Sequence, residues 1–201
     1  MLKIKNLYVD NILHNINLSI NEGTIVGIFG ASGSGKTTLL KTIKGFNENW
    51  QGEITFKGKK IHVYDPSIGY IFQENIFFHH LSLIDNFLLT GKKIKEIYEI
   101  INYLNLSHLI NKKIHELSGG EKQRLGICRS LLMDPQILLM DEPTSSLDEE
   151  NRQLFYDIFL KLNKEKKITI LMISHDKESK HIFNKVYYMI DGKIVNEEII
   201  N

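Results

Sequence analysis

The chain holds 201 residues, with 25 Lys plus Arg against 24 Asp plus Glu, so its formal net charge at pH 7 is +1. That near-balance argues against a surface that holds bare nucleic acid by phosphate neutralisation. With 42% hydrophobic and 24% charged residues the composition is that of a globular protein able to bury one sizeable core, and it excludes a disordered or collagen-like chain.

The single cysteine, Cys128, can form neither an intramolecular disulfide nor a multi-thiolate metal site, which points to a reducing compartment. No apolar run approaches the roughly 18 residues of a membrane span. The start, MLKIKNLYVDN, has no signal-peptide core. A cytoplasmic chain is expected, reaching a membrane only through a partner.

In chain order, strands are expected over Leu2 to Val9, Ile16 to Ile20, Thr24 to Phe29, Gly52 to Lys57, Ile68 to Phe72, Gln136 to Met140, Ile168 to Ser174 and Lys185 to Ile190. Asp191-Gly192 is a hairpin signal before a last strand from Lys193 to Asn196. Between residues 74 and 134 the strand signal vanishes, and Ile94, Ile97, Tyr98, Ile101 and Leu104 recur at helical spacing. The alternation of short strands and helices predicts an α/β fold with a mainly parallel sheet. We expect one domain over residues 1–201, with a helical subdomain inserted at about residues 74–134. No repeat or Pro-rich linker divides it.

The first chemical motif is GASGSGKTT, in which Gly30, Ala31, Ser32, Gly33, Ser34, Gly35, Lys36, Thr37 and Thr38 satisfy G-x-x-x-x-G-K-[ST]. The apolar TIVGIF precedes it and the helix-like TTLLKTIKGF follows. Glycines let such a loop wrap a phosphate chain, while the N–H groups of the helix start face the anion. Lys36 is expected at the β and γ phosphates and the Thr37 hydroxyl at Mg²⁺. The alternative is an ordinary Gly-rich turn.

The second motif is ILLMDEP, an apolar run ending in two carboxylates where open α/β sheets place their ligands. Asp141 is the natural partner of Mg²⁺. Glu142, turned elsewhere by strand alternation, is placed to accept a proton from an attacking water. Read alone, the same run is a strand end and turn. The third motif is LSGGEKQR, Leu117 to Arg124, where Ser118, Gly119 and Gly120 open a helix expected to run to Met133. It is either a second anion site with free N–H groups or a helix capped by Ser118.

On these residues, with Ser118 lying 23 positions before Asp141, the sequence resembles the ATP-binding subunit of bacterial ABC transporters. The resemblance spans nearly the whole chain. It implies a P-loop NTPase core of ABC type, with a mainly parallel sheet, a small antiparallel β part and the inserted helical subdomain. It implies an ATPase using ATP and Mg²⁺ in a head-to-tail dimer, the Ser118 to Gly120 segment closing the site of another subunit. That partner is a second copy or a different ATP-binding subunit, and a transmembrane permease holds the pair at the inner face of the membrane.

Other family elements follow in order. Gln73 in YIFQEN resembles the loop glutamine that contacts Mg²⁺ and water. Ser145 to Asp148 resembles the loop that crosses the dimer interface, and His175 resembles the switch histidine at the γ-phosphate. The family commonly stacks an aromatic on adenine. Here only Tyr8 offers one, and period-2 alternation lets it either stack or pack in the sheet. Ile76, Phe77 and Phe78 fall where the family receives a coupling helix, and they serve equally as core. The short stretch between Gln73 and Leu117, and the few residues after 193, resemble compact subunits of peptide, bacteriocin or lipoprotein-release exporters. The alternatives are a soluble ABC ATPase of the iron-sulfur assembly type and an ATP-gated clamp with negligible turnover.

Overall fold

The computed structural model describes residues 1–61, 65–73, 77–176 and 178–200. Its centre is a six-stranded sheet built from β3 (Ile25–Phe29), β6 (Ile68–Ile71), β7 (Ile137–Asp141), β8 (Thr169–Ile173), β9 (Lys185–Ile190) and β10 (Lys193–Ile199). The order is β10-β9-β3-β8-β7-β6. Five strands run parallel, and β10 alone returns antiparallel through the Asp191-Gly192 turn. Both turn residues have positive φ, as a two-residue hairpin turn requires.

Every residue of β3, β6, β7 and β8 is buried, which explains their near-continuous apolar sequences. Their side chains alternate between two cores. Val26, Ile28, Leu139, Leu171 and Ile173 pack on one face with Leu39, Leu40 and Ile43 of helix α1 (Lys36–Lys44). Phe29, Leu138, Met140, Ile170 and Met172 pack on the other with the remaining helices.

A second sheet of four strands, in the order β2-β1-β4-β5, is antiparallel throughout: β1 (Leu2–Val9), β2 (Leu13–Ile20), β4 (Gln51–Phe56) and the short β5 (Lys59–Lys60). It closes the first core with Leu2, Ile4, Leu7, Ile16 and Ile54. Alternation along β1 breaks at Asn6, whose φ of 48° marks an irregularity that exposes both Lys5 and Asn6. Beyond it the faces swap, so Leu7 and Val9 point in and Tyr8 points out. Strict alternation from Leu2 and Ile4 would have buried Tyr8, which is why sequence left its side open.

Between Ile71 and Ile137 no strand occurs among the described residues. The segment carries α2 (Leu83–Leu88), α3 (Ile94–Tyr103) and α4 (Gly119–Leu131). In α3 only Ile97 and Ile101 are buried, while Ile94 and Tyr98, on the same expected stripe, are exposed. Helix α5 (Glu149–Lys166) leads into β8. Several boundaries differ from the sequence reading. β2 begins at Leu13, because His14 N–H already bonds Gly192 O at 2.8 Å and fixes an extended chain there. β5 was not expected, and β10 reaches Ile199, held by an ion pair from Lys185 to Glu197. α4 ends at Leu131, two residues short of Met133.

Candidate active site

The loop Gly30–Gly35 joins β3 to α1 and is braced from two sides. A Cβ on Gly30 would lie 2.2 Å from Met189 O of β9, so only glycine lets the loop pass there. Gly192 N–H donates to Ser34 O at 3.1 Å, tying the β9–β10 turn to the loop. Ala31, Ser32 and Gly33 are exposed. Lys36 is 4% exposed and donates to Gly30 O and Ala31 O at 2.9 and 2.8 Å, so its ammonium lies inside the loop's curve. Burial lowers its pKa below the usual lysine range, with Glu142 and then Asp141 pulling the other way.

These residues fit a nucleotide phosphate chain. Helix α1 starts with no side-chain cap and no acidic residue in its first turn, which leaves its N-terminal amides and dipole for an anion. Ser34 Oγ is buried with no hydrogen-bond partner among the described residues, an orphan hydroxyl at the loop's inner side. Thr37 and Thr38, both half-buried, follow in the first turn.

Asp141 closes β7 at its carboxyl end, two residues beyond Leu139 and therefore on the α1 face of the sheet. Its Oδ1 accepts from Thr37 Oγ1 at 2.9 Å and its Oδ2 from Tyr70 Oη at 3.1 Å. A hydroxyl and a carboxylate are hard oxygen donors of the kind Mg²⁺ takes when phosphates and water supply the rest. No cluster of three or more His, Cys, Asp or Glu able to hold a metal occurs among the described residues.

Glu142 is turned by the backbone rather than by strand alternation. The strand ends at Asp141, and Glu142 adopts φ 47°, a left-handed conformation rare for a residue with a side chain. That turn, and not strand alternation, carries its carboxylate to His175, with Oε1 2.6 Å from Nε2. Glu142, Ser145, Ser174, His175 and Asp176 line a cavity of about 300 Å³. Gln73 Nε2 donates to Ser145 Oγ at 3.4 Å, and Ser145 Oγ donates to Glu142 O at 3.0 Å. Lys36, Thr37, Asp141, Glu142, His175 and Gln73 thus converge at the carboxyl ends of β3, β6, β7 and β8.

Ser118, Gly119 and Gly120 open α4, whereas Asp148 caps α5 near Arg152, which lines the Glu142–His175 cavity. No hydrogen bond or ion pair among the described residues joins Ser118–Gly120 to residues 30–38. Ser118 caps α4: its Oγ accepts from Glu121 N–H at 3.2 Å, and Ser118 N–H donates to Glu121 Oε2 at 2.7 Å. The Ser118 amide is therefore not free, contrary to the sequence reading. Lys112 pairs with Glu121 at 2.9 Å. Gly119 is exposed, and a Cβ there would meet nothing within 4 Å. Asp148 caps α5 through Asn151 N–H at 2.9 Å, and this bond holds its carboxyl below the usual range. Asn151 also receives Arg124 of α4 at 3.3 Å, linking the two helix starts.

Tyr8 is 42% exposed and shares a concavity with His14, Asn15, Lys193 and Ile194. Ile76 lies outside the described residues, whereas Phe77 is buried in the second core and Phe78 is exposed. Phe78 forms, with Phe46, Tyr70, Phe72, Leu89 and Arg129, part of the wall of a cavity of about 560 Å³ between β6 and the helices. Asn86 ties its backbone down, accepting from Phe78 N–H at 2.8 Å and donating to Phe78 O at 3.1 Å. Two contributors escaped the sequence reading. Gln123 donates to the Gln73 carbonyl, and Tyr70 grips Asp141. Tyr70 had a signal, since a phenol in a strand buried on both faces needs a polar partner.

The ABC transporter family model matches residues 13–145. The spermidine/putrescine import ATP-binding protein PotA of Mesoplasma florum is 38% identical over 195 residues, covering 91% of this chain and 56% of its own length. This chain thus spans little more than half of that relative. The lipoprotein-releasing system ATP-binding protein LolD of Aquifex aeolicus is 35% identical, covering 92% of this chain and 90% of its own. Among solved structures, the dimeric ATP-binding cassette MJ0796, in a post-hydrolysis state bound to ADP and Pi, superposes with a TM-score of 0.86 at 30% identity. That match covers 100% of this chain and 99% of the other. The chain belongs to the ABC transporter family.

Proposed function

We propose that the chain binds Mg-ATP on residues 30–38 and hydrolyses it between two ATP-binding chains arranged head to tail, powering a transporter through a transmembrane permease. The carrying observation is the convergence of Lys36, Thr37, Asp141 and the Glu142–His175 pair at one end of the sheet. The α1 amides and Lys36 hold the phosphates, and Ser34 supplies a further donor. Bound through Thr37, Asp141 and Gln73, Mg²⁺ would neutralise charge developing on the γ-phosphate. Glu142 accepts the proton of the attacking water while His175 orients the Glu142 carboxylate. Ser118, Gly119, Gly120 and Asp148 of the partner close the site, and Tyr8 flanks the base. The reading is supported by the dimeric state of the MJ0796 cassette and by the bare, exposed Gly119.

The cavity walled by Phe46, Phe72 and Phe78 is where the permease docks, because it is concave and aromatic and adjoins Gln73. Association with the membrane is peripheral, since no helix among the described residues is long and apolar enough to cross it. Of the transport classes we favour a small exporter or lipoprotein-type system, on the likeness to LolD. The second reading, a soluble ATPase of the iron-sulfur assembly type, shares every nucleotide contact and differs in its partner.

Phosphate release from ATP by the purified wild-type chain, with and without Mg²⁺, tests the chemistry. Magnesium-dependent release that is lost in Lys36→Ala is expected; a variant that hydrolyses as fast as wild type would remove Lys36 from the site. Co-fractionation with membranes separates the transporter from the soluble reading.

A further inference from the structure

We propose that Tyr70 is a positioning residue for the reaction, its hydroxyl fixing the Asp141 carboxylate for the metal-nucleotide complex. The inference rests on the nucleotide reading above and extends it to a residue outside the expected donor set. Asp141 is 7% exposed and Tyr70 is 8% exposed, so neither the carboxylate nor the phenol can exchange its partner for bulk water. Tyr70 Oη donates to Asp141 Oδ2 at 3.1 Å, and Thr37 Oγ1 donates to Oδ1 at 2.9 Å.

The two bonds are not equivalent. Thr37 and Asp141 both belong to the proposed donor set, so the bond between them does not anchor that set to the scaffold. Tyr70 belongs to the sheet. It pairs with Leu139 in the parallel register of β6 and β7, which puts its side chain on the same face as Asp141. Its backbone carbonyl accepts from Ser130 Oγ of α4 at 3.1 Å. Its ring is packed by Phe46 and Phe72, at centroid distances of 5.4 and 4.6 Å. A phenol held at the backbone and packed against two aromatic rings can hold a carboxylate in one orientation. Ligand pre-organisation of this kind commonly changes metal affinity by roughly 10- to 100-fold.

The test is Mn²⁺ binding, followed by electron paramagnetic resonance, to full-length chain carrying a non-hydrolysable ATP analogue. Tyr70→Phe should weaken Mn²⁺ by roughly tenfold while the analogue's affinity in EDTA stays at the wild-type value. Ser130→Ala, which removes one bond to the Tyr70 carbonyl but leaves the β6–β7 pairing, the ring packing and the hydroxyl in place, should bind Mn²⁺ nearly as wild type does. A merely structural role would lower analogue affinity in EDTA for both variants, and that result overturns the proposal. Equal Mn²⁺ affinity in Tyr70→Phe and wild type overturns it as well. Wild-type chain that binds neither analogue nor Mn²⁺ would instead overturn the nucleotide reading beneath it.

Discussion

The centre at the strand ends and the face formed by Ser118 and Asp148 are built in opposite ways. In the first, the contacts join residues remote in sequence: Thr37 with Asp141, Glu142 with His175, Tyr70 with Asp141. Only the complete sheet brings them together, and they leave the α1 amides and Ser34 Oγ to be satisfied from outside. In the second, both helix caps are settled within three residues, Ser118 with Glu121 and Asp148 with Asn151, while Lys112 and Arg124 add contacts from further along the chain. Gly119 lies exposed there, with nothing within 4 Å of a Cβ at that position. In the proposed reading the first region carries the chemistry and the second approaches another chain.

Four substitutions and one control truncation probe that contrast, the strongest first. Glu142→Gln removes the proposed proton acceptor and should cut turnover by about 10²- to 10⁴-fold while Mg-ATP binding persists, as steady-state and equilibrium titrations would read. Leu139→Ala, at a position buried on the α1 face beneath Asp141, should cost about 2–5 kcal/mol in chemical denaturation. The same truncation at exposed Leu154 should stay within about 0.5 kcal/mol. A shared loss at both sites would mean that the strand-end centre is not the rigid part of the molecule.

On the other face, Ser118→Ala removes one cap and should cost about 1 kcal/mol, visible as a small shift of the unfolding midpoint. Gly119→Asp should change stability least, within about 0.5 kcal/mol, because nothing crowds the new side chain and a carboxylate suits a helix start. It should nonetheless abolish pairing driven by ATP, since its charge would oppose a phosphate. Unaltered pairing in Gly119→Asp would separate this glycine from the shared site.

Much of this was legible in the sequence for identifiable reasons. Strands buried on both faces read as unbroken apolar runs, and the phosphate loop is local, so Ile25 to Thr38 and Ile137 to Asp141 could be placed from residue types alone. What could not be read depends on backbone geometry that no residue pattern encodes. The irregularity at Asn6 decides that Tyr8 faces outward. The left-handed turn at Glu142, unusual for glutamate, decides that its carboxylate meets His175. The closure of Ser118 on Glu121 was implied by the S-x-x-E spacing of a capping box, yet the same residues also read as an open anion site. Tyr70 was passed over because its strand looked like core.

The account turns on one claim, that the Ser118 and Asp148 face of one chain completes the strand-end centre of another. The most direct measurement is the native mass of Glu142→Gln chain with and without Mg-ATP. A shift from monomer to dimer that requires ATP is predicted. A species that stays monomeric at saturating Mg-ATP would contradict it.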